Sequence, residues 1–368
     1  MLSHQINSIM GRILTALLYF SVLATARSYG QGCIAIRSTG GICSKMQDEP
    51  DTASGWLFNA NNRYFKSYKH FIGTEEQKQR IEQGTNVINH QYTLDLSITR
   101  LINARWSILL DLPVEANSRS SLYEHHNVGR FVTHAFGAGD LRLAVYRWMW
   151  DPVKKPRGNV QVGLGIKLPT GKDNVQDYFH TSDSTKALGP VDQSIQLGDG
   201  GTGITLELNG YYNLSTRVSL YGNFYYLSNP QEQNGISTAR EGQPSAKAIA
   251  NGSNVMSVPD QYLVRAGANY SVGHFIFSAG VRDECLPVHD LVGASGGFRR
   301  PGYIISGEPG VTYNFHRVAV YGFVPIAIVR NRTQSVPDKI ATELTGVYTH
   351  GDAAFADYAV NIGCTVRF

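Results

Sequence analysis

Two histidine-bearing stretches hold the residues best suited to nucleophilic chemistry in this 368-residue sequence. His180 and Ser182 stand two positions apart in His180-Thr181-Ser182, which would put a base and a hydroxyl on one face if the segment were a strand. Tyr123-Glu124-His125-His126-Asn127 gathers further polar groups but has no Ser at a matching offset. A catalytic base must be held rigidly, and both stretches fall in long polar segments, so these histidines read as solvated loop residues. Two glycine stretches imitate phosphate cradles. Gly198-Asp199-Gly200-Gly201-Thr202-Gly203 has the Gly-x-Gly-x-x-Gly spacing, but it leads into an alternating segment and not a helix, so the array of N–H donors cannot form. Pro169-Thr170-Gly171-Lys172 lacks the upstream Gly and downstream Ser or Thr of a P-loop. Cys33 and Cys43 have no second ligand pair at zinc-finger spacing. No enzyme activity, cofactor or metal is expected.

The elements around these residues are strands. Tyr358-Ala359-Val360-Asn361-Ile362-Gly363-Cys364-Thr365-Val366-Arg367-Phe368 alternates apolar with small or polar residues up to the terminal aromatic. Phe368, Val366, Cys364, Ile362, Val360 and Tyr358 share one strand face, and Asn361, Thr365 and Arg367 the other. A soluble sheet rarely ends in mid-strand on a bare Phe, whereas strands of an outer-membrane barrel set an apolar face against lipid and a polar one against the lumen. Phe368, Val366 and Tyr358 are therefore the expected assembly signal, read by the barrel-assembly machinery after delivery by periplasmic chaperones.

At the other end, a weakly basic stretch ending in Arg12 precedes an apolar run from Ile13 to Leu23 and then Ala24-Thr25-Ala26. This is the pattern of a secretory signal peptide over 1–26, and the run is shorter than the roughly 18–20 residues that a spanning helix needs. Residues 27–53 form an expected periplasmic segment or lumen plug. The exported location would permit a Cys33–Cys43 disulfide within it.

From residue 54 onward, alternating segments are joined in turn by tight turns and long polar loops. Trp106 to Leu112, Asn159 to Leu168, Thr205 to Tyr212 and Arg217 to Phe224 are strong examples of the former. Tight turns fall near 103–104, 152–158, 215–216, 273–274 and 316. Long loops fall near 72–86, 116–138, 170–202, 229–259, 285–301 and 330–354. The prediction is an all-β, transmembrane antiparallel β-barrel of about 12 strands over 54–368. Its short turns and both termini would be periplasmic, in the outer membrane of a Gram-negative bacterium, with outer-membrane lipid and lipopolysaccharide around it. A mean hydropathy of −0.20 suits such strands, because alternation hides their apolar face. A net charge of +4, without basic runs, argues against nucleic acid.

The same parity lists the polar groups that must face inward: Asp95, Asp111, Arg142, Lys167, Glu207, Arg265, Arg282 and Glu308. Facing lipid at the midplane, an Arg or Lys would cost about 2–4 kcal/mol. These eight would line a permeation path, or fill a narrow lumen with ion pairs.

Gly137-Ala138-Gly139-Asp140-Leu141-Arg142-Leu143, Gly163-Leu164-Gly165-Ile166-Lys167-Leu168-Pro169-Thr170-Gly171-Lys172-Asp173 and Gln196 to Gly203 resemble motifs of the family called MetA-pathway of phenol degradation. The resemblance spans roughly 137 to 230. It implies an outer-membrane transporter passing small, aromatic or hydrophobic compounds by passive diffusion. One alternative is a non-conducting structural or partner-binding barrel. Another is an outer-membrane lipid or ester hydrolase, since His180-Thr181-Ser182 has the His–Ser spacing of the twelve-stranded phospholipases. Asp183-Ser184 follows it, however, where that pattern has Asn-Gly.

Overall fold

The computed structural model describes residues 54–368. The signal peptide, the plug and the Cys33–Cys43 pair all lie outside the described residues.

Twelve strands close into one antiparallel barrel. They are β1 (Gly55–Ile72), β2 (Ile88–Leu101), β3 (Trp106–Ser121), β4 (Phe131–Ala138 resuming as Leu141–Trp148), β5 (Gly158–Leu168), β6 (Gly203–Asn213), β7 (Val218–Ser228), β8 (Gln261–Val272), β9 (Phe275–Leu286), β10 (Gly302–Asn314), β11 (Val318–Phe323 resuming as Ile326–Arg332) and β12 (Ala353–Arg367). Each pairs with its sequence neighbours, and β12 pairs with β1 from Leu57↔Arg367 to Phe71↔Ala353. The seam is completed at its lower end by the terminal residue. Trp56 N donates to Phe368 O at 2.8 Å, and Phe368 N to Trp56 O at 3.0 Å. Hydrocarbon offers the backbone no hydrogen bonds, so strands can cross it only when every edge is paired in this way.

Period two then sorts the side chains. Ile108, Leu110, Leu143, Val145, Leu164, Ile204 and Ile362 are exposed on the outside, while Asp111, Arg142, Lys167, Thr205, Glu207 and Asn361 beside them are buried inside. No described helix is long and apolar enough to cross a membrane; the strands do so. The two interrupted strands break at Gly139-Asp140 and Val324-Pro325, and each interruption is bridged from a neighbouring strand. Gly139 N donates to Pro113 O at 2.9 Å, and Val324 N to Pro309 O at 3.0 Å.

Short turns and long loops fall at opposite ends of the barrel. The turn between β8 and β9 has two residues and needs a positive φ at the first, which Gly273 supplies at +56°. Asn103 stabilises another by accepting from Arg105 N and Trp106 N at 2.9 and 3.0 Å. Inside the wall, Gly163 leaves room for a neighbouring ring, since a Cβ there would sit 2.4 Å from Tyr146.

The long connections are more structured than their polar composition predicts. The segment expected as a loop over 116–138 is largely strand, because β3 runs to Ser121 and β4 starts at Phe131. Its alternation continues through Asn117, Arg119, Ser121 and Thr133, all buried with polar side chains where apolar ones would advertise a strand. The 170–202 connection holds a small hairpin, Gln176–His180 with Lys186–Pro190. The 229–259 connection holds another, Gln233–Ser237 with Val255–Ser257.

Replacing Phe368 with Asp puts a charge on the lipid face of the closing strand. The variant is expected to lose the heat-modifiable, folded band on gels of outer-membrane fractions, and normal levels of that band would contradict the assembly role of the terminal strand.

Candidate functional site: the lumen and its roof

All eight charged residues singled out by parity are buried on the inner wall. They fall into two arcs. In the first, β8, β9 and β10 bring Arg265 Nε to Glu308 Oε1 at 2.8 Å and Arg282 Nη1 to Glu308 Oε2 at 3.2 Å. The chain of pairs continues from Arg282 Nη2 to Glu284 Oε1 at 2.8 Å and from Glu284 to Arg63 Nη2 at 2.8 Å. Asp95, cross-strand from Asn61, adds its charge beside Arg63. In the second arc, Arg142 on β4 reaches Asp111 on β3 at 3.3 Å and Glu207 on β6 at 3.1 Å. Lys167 on β5 meets Asp140 at 3.4 Å and also pairs with Asp199.

Counting the groups named in these arcs, seven carboxylates face five cations, and the excess lies entirely in the second arc. Arg63, Glu284, Asp140 and Asp199 are additions to the sequence-derived set. Glu284 shares the parity of Arg282, and Arg63 that of Asn59 and Asn61, so the alternation that found the others also marks these two. Asp140 lies in the interruption of β4 and Asp199 in the connection before β6, where no alternation marks them.

Toward the short-turn end the wall changes character. Asn209, Asn223, Asn269, Ser219 and Ser278 link across strands. Asn223 Nδ2 donates to Asn209 Oδ1 at 2.8 Å, and Ser278 Oγ to Asn269 Oδ1 at 2.7 Å. Neutral amides and hydroxyls share this half with the buried rings of Tyr146, Trp148 and Tyr321.

Toward the long-loop end, the segment from Val191 to Leu197 folds inward as a roof. Val191 and Ile195 are fully buried. Gln91 Nε2 on β2 donates to Ser194 O at 2.8 Å, and Gln193 Nε2 donates to Ser257 O at 2.8 Å. Between roof and ion-pair arcs lies a cavity of about 130 Å³, whose lining includes Asp95, Arg142, Lys167, Ser194, Tyr225 and Gln261.

The roof is tied down at Asp192. Its carboxylate takes both Nη atoms of Arg300 at 2.8 and 2.7 Å, Arg240 Nη2 at 2.9 Å and Arg119 Nη2 at 3.5 Å. Glu124 completes the knot, 3.0 Å from Arg119 and 2.7 Å from Arg240. Burial alone would raise both carboxyls, but Arg119 first and the other arginines after it outweigh burial. Asp192 is held well below the usual carboxylate range and Glu124 is brought down to about 2. A depressed folded pKa gives stability above the unfolded value, about 4, that is lost as pH falls toward the folded one. The knot thus stays intact through neutral and mildly acidic pH.

The histidines expected to be solvated are mostly packed. His125 is 1% exposed and lies 5.4 Å from the ring of Phe179, and its Nδ1 accepts from His180 N at 3.0 Å. Burial lowers the His125 pKa. The His180 ring stacks on Phe131 at 3.6 Å. Ser182 is taken up in its own turn, its Oγ 2.6 Å from Thr185 Oγ1 and accepting from Thr185 N at 3.2 Å. His126 alone of this group keeps a largely exposed side chain, 2.9 Å from Glu241.

The architecture is similar to that of the COG4313 outer membrane channel from Pseudomonas putida F1, with a TM-score of 0.56 at 9% identity over 87% of this chain and 99% of that one. This is the fold of an outer-membrane β-barrel. Weaker likenesses, at TM-scores of 0.42 and 0.39, join it to the translocator domain of the autotransporter NalP from Neisseria meningitidis and to the toluene transporter TodX from P. putida. The first is 13% identical and the second 8%, each over 88% of this chain and 92% of the other. No protein-family model matches the sequence, and no curated protein does. The phenol-degradation resemblance accordingly rests on its motif residues alone.

Removing one member of a buried ion pair leaves the others uncompensated, at a typical cost of about 3–5 kcal/mol. Glu308→Ala takes the shared carboxylate from Arg265 and leaves Arg282 with Glu284, so it is expected to lower stability by about that amount in denaturant unfolding in micelles. Lys69→Ala, which breaks the half-exposed 2.9 Å pair with Asp357, should cost less than about 1 kcal/mol. Equal losses would contradict the burial of the arcs.

Proposed function

We propose that this protein is an outer-membrane channel that lets small compounds, aromatic or hydrophobic ones among them, diffuse passively across the membrane, its path running past the charged arcs. The observation that carries this reading is the interior. A barrel serving only as a scaffold is free to fill its lumen with apolar side chains alone, whereas this one sets two arcs of ion pairs, with amides and hydroxyls, among its buried aromatic rings, and holds a cavity beneath a folded-in roof. Fold likeness to the P. putida F1 channel supports it. In the conformation described, Asp111, Arg142, Lys167, Glu207, Arg265, Arg282 and Glu308 all sit in ion pairs and the roof lies over the cavity. That closed state also supports a second reading, a non-conducting barrel that presents its loops to a partner.

Reconstitution in planar bilayers separates the two. With seven carboxylates to five cations in the arcs, the conducting protein should favour cations. Glu207→Gln with Glu308→Gln should shift selectivity toward anions, and neutralising Lys167 and Arg265 should shift it further toward cations. A conducting pore whose selectivity ignores both pairs of changes would remove these residues from the path. A chain that conducts in no form, including one lacking residues 27–52, would favour the partner-binding barrel.

A further inference from the structure

The knot at Asp192 has the form of an occupied ligand site. Three guanidinium groups from three separate parts of the chain, Arg119 on the barrel wall, Arg240 in the 229–260 connection and Arg300 in the 287–301 connection, converge on one carboxylate. Arg300 engages it through two parallel N–H···O bonds at 2.8 and 2.7 Å, the fork geometry by which Arg recognises a planar carboxylate. The carboxylate belongs to the roof, and it is fully buried, yet Arg240 and Arg300 keep side-chain exposures of 16% and 13%. Arg240 and Arg300 are thus reachable from the loop side, while Arg119 and the internal ligand are not. Two of them also lie over aromatic rings, Arg240 over Phe179 at 5.5 Å and Arg300 over Phe298 at 4.7 Å, which gives the site an apolar flank. Among the described residues Glu124 is the second carboxylate of the knot, 3.0 Å from Arg119 and 2.7 Å from Arg240.

From this geometry we infer that Arg119, Arg240 and Arg300 form a binding site for a small organic carboxylate at the outer mouth, held closed by Asp192 acting as an internal copy of that ligand. An external carboxylate that takes the arginine fork displaces Asp192, and the Val191–Leu197 roof loses its anchor. The ligand acts as the opener of the lumen, so the consequence for conduction rests on the channel reading, while the binding itself does not.

The test therefore reads binding without conduction. Asp192→Ala vacates the fork and should lower the thermal midpoint of the purified barrel in detergent. Sodium benzoate should then restore the midpoint saturably, and sodium chloride at equal ionic strength should not. If the Ala variant fails to fold, Asp192→Asn keeps the volume and removes the charge, and the same contrast is expected of it. Adding Arg300→Gln to either variant should abolish the benzoate effect. Benzoate and chloride acting alike, or a benzoate effect that survives Arg300→Gln, would overturn the site. Wild-type protein in a bilayer should open more often in benzoate than in chloride, and equal opening in a pore that conducts would overturn the displacement step. Benzoate rescue with no conduction from any variant would instead count against the channel reading and leave the site standing.

Discussion

The rest of the structure depends on one constraint, that backbone N–H and C=O groups have no partner in hydrocarbon. Strands meet it only by closing, and here the closure is completed at its lower end by the two hydrogen bonds between Trp56 and the terminal Phe368. Once the wall is closed, each strand has a lipid side and a lumen side, and period two leaves no third choice. Ile204, Leu206 and Leu208 go outward while Thr205, Glu207 and Asn209 go inward, from a single stretch of six residues.

That sorting creates the second problem, charge in a narrow space. A buried ion pair is weak evidence for stability, since a well-packed apolar substitute is often as good. The arcs therefore need a reason other than holding the wall together. Their arrangement suggests one, because the pairs run around the lumen from strand to strand, with Glu284 between Arg63 and Arg282 and Glu308 between Arg282 and Arg265. Groups paired in this way keep charge inside the wall at a tolerable cost, with the surplus of carboxylates confined to the second arc.

Much of this is legible in the sequence because the barrel is periodic. Three of the five tight turns announce themselves through Asn103, Ser215 and Gly273, and parity places eight charged residues on the inner wall without reference to any contact. What escapes is whatever lacks a period. Asp192, Arg240 and Arg300 come from three loops separated by about fifty residues each, and no local pattern distinguishes them from solvated loop charges. His125 escapes for a related reason. Its neighbours Glu124 and His126 read as loop, and it is the return of Phe179 from a distant segment, against nearby Phe131, that buries it. The extension of β3 and β4 beyond the lipid is hidden because, outside the membrane, both faces of a strand can be polar.

The proposed path runs past the inner wall, and the two faces of β6 offer its most direct test. In a chain whose own cysteines are replaced by Ser, Asn209→Cys faces the lumen and Leu208→Cys faces lipid. A positively charged methanethiosulfonate reagent added during single-channel recording should reduce the current through the Asn209→Cys protein in a single irreversible step and leave the Leu208→Cys current unchanged. Block of Leu208→Cys, or complete labelling of Asn209→Cys with no change in current, would contradict the account.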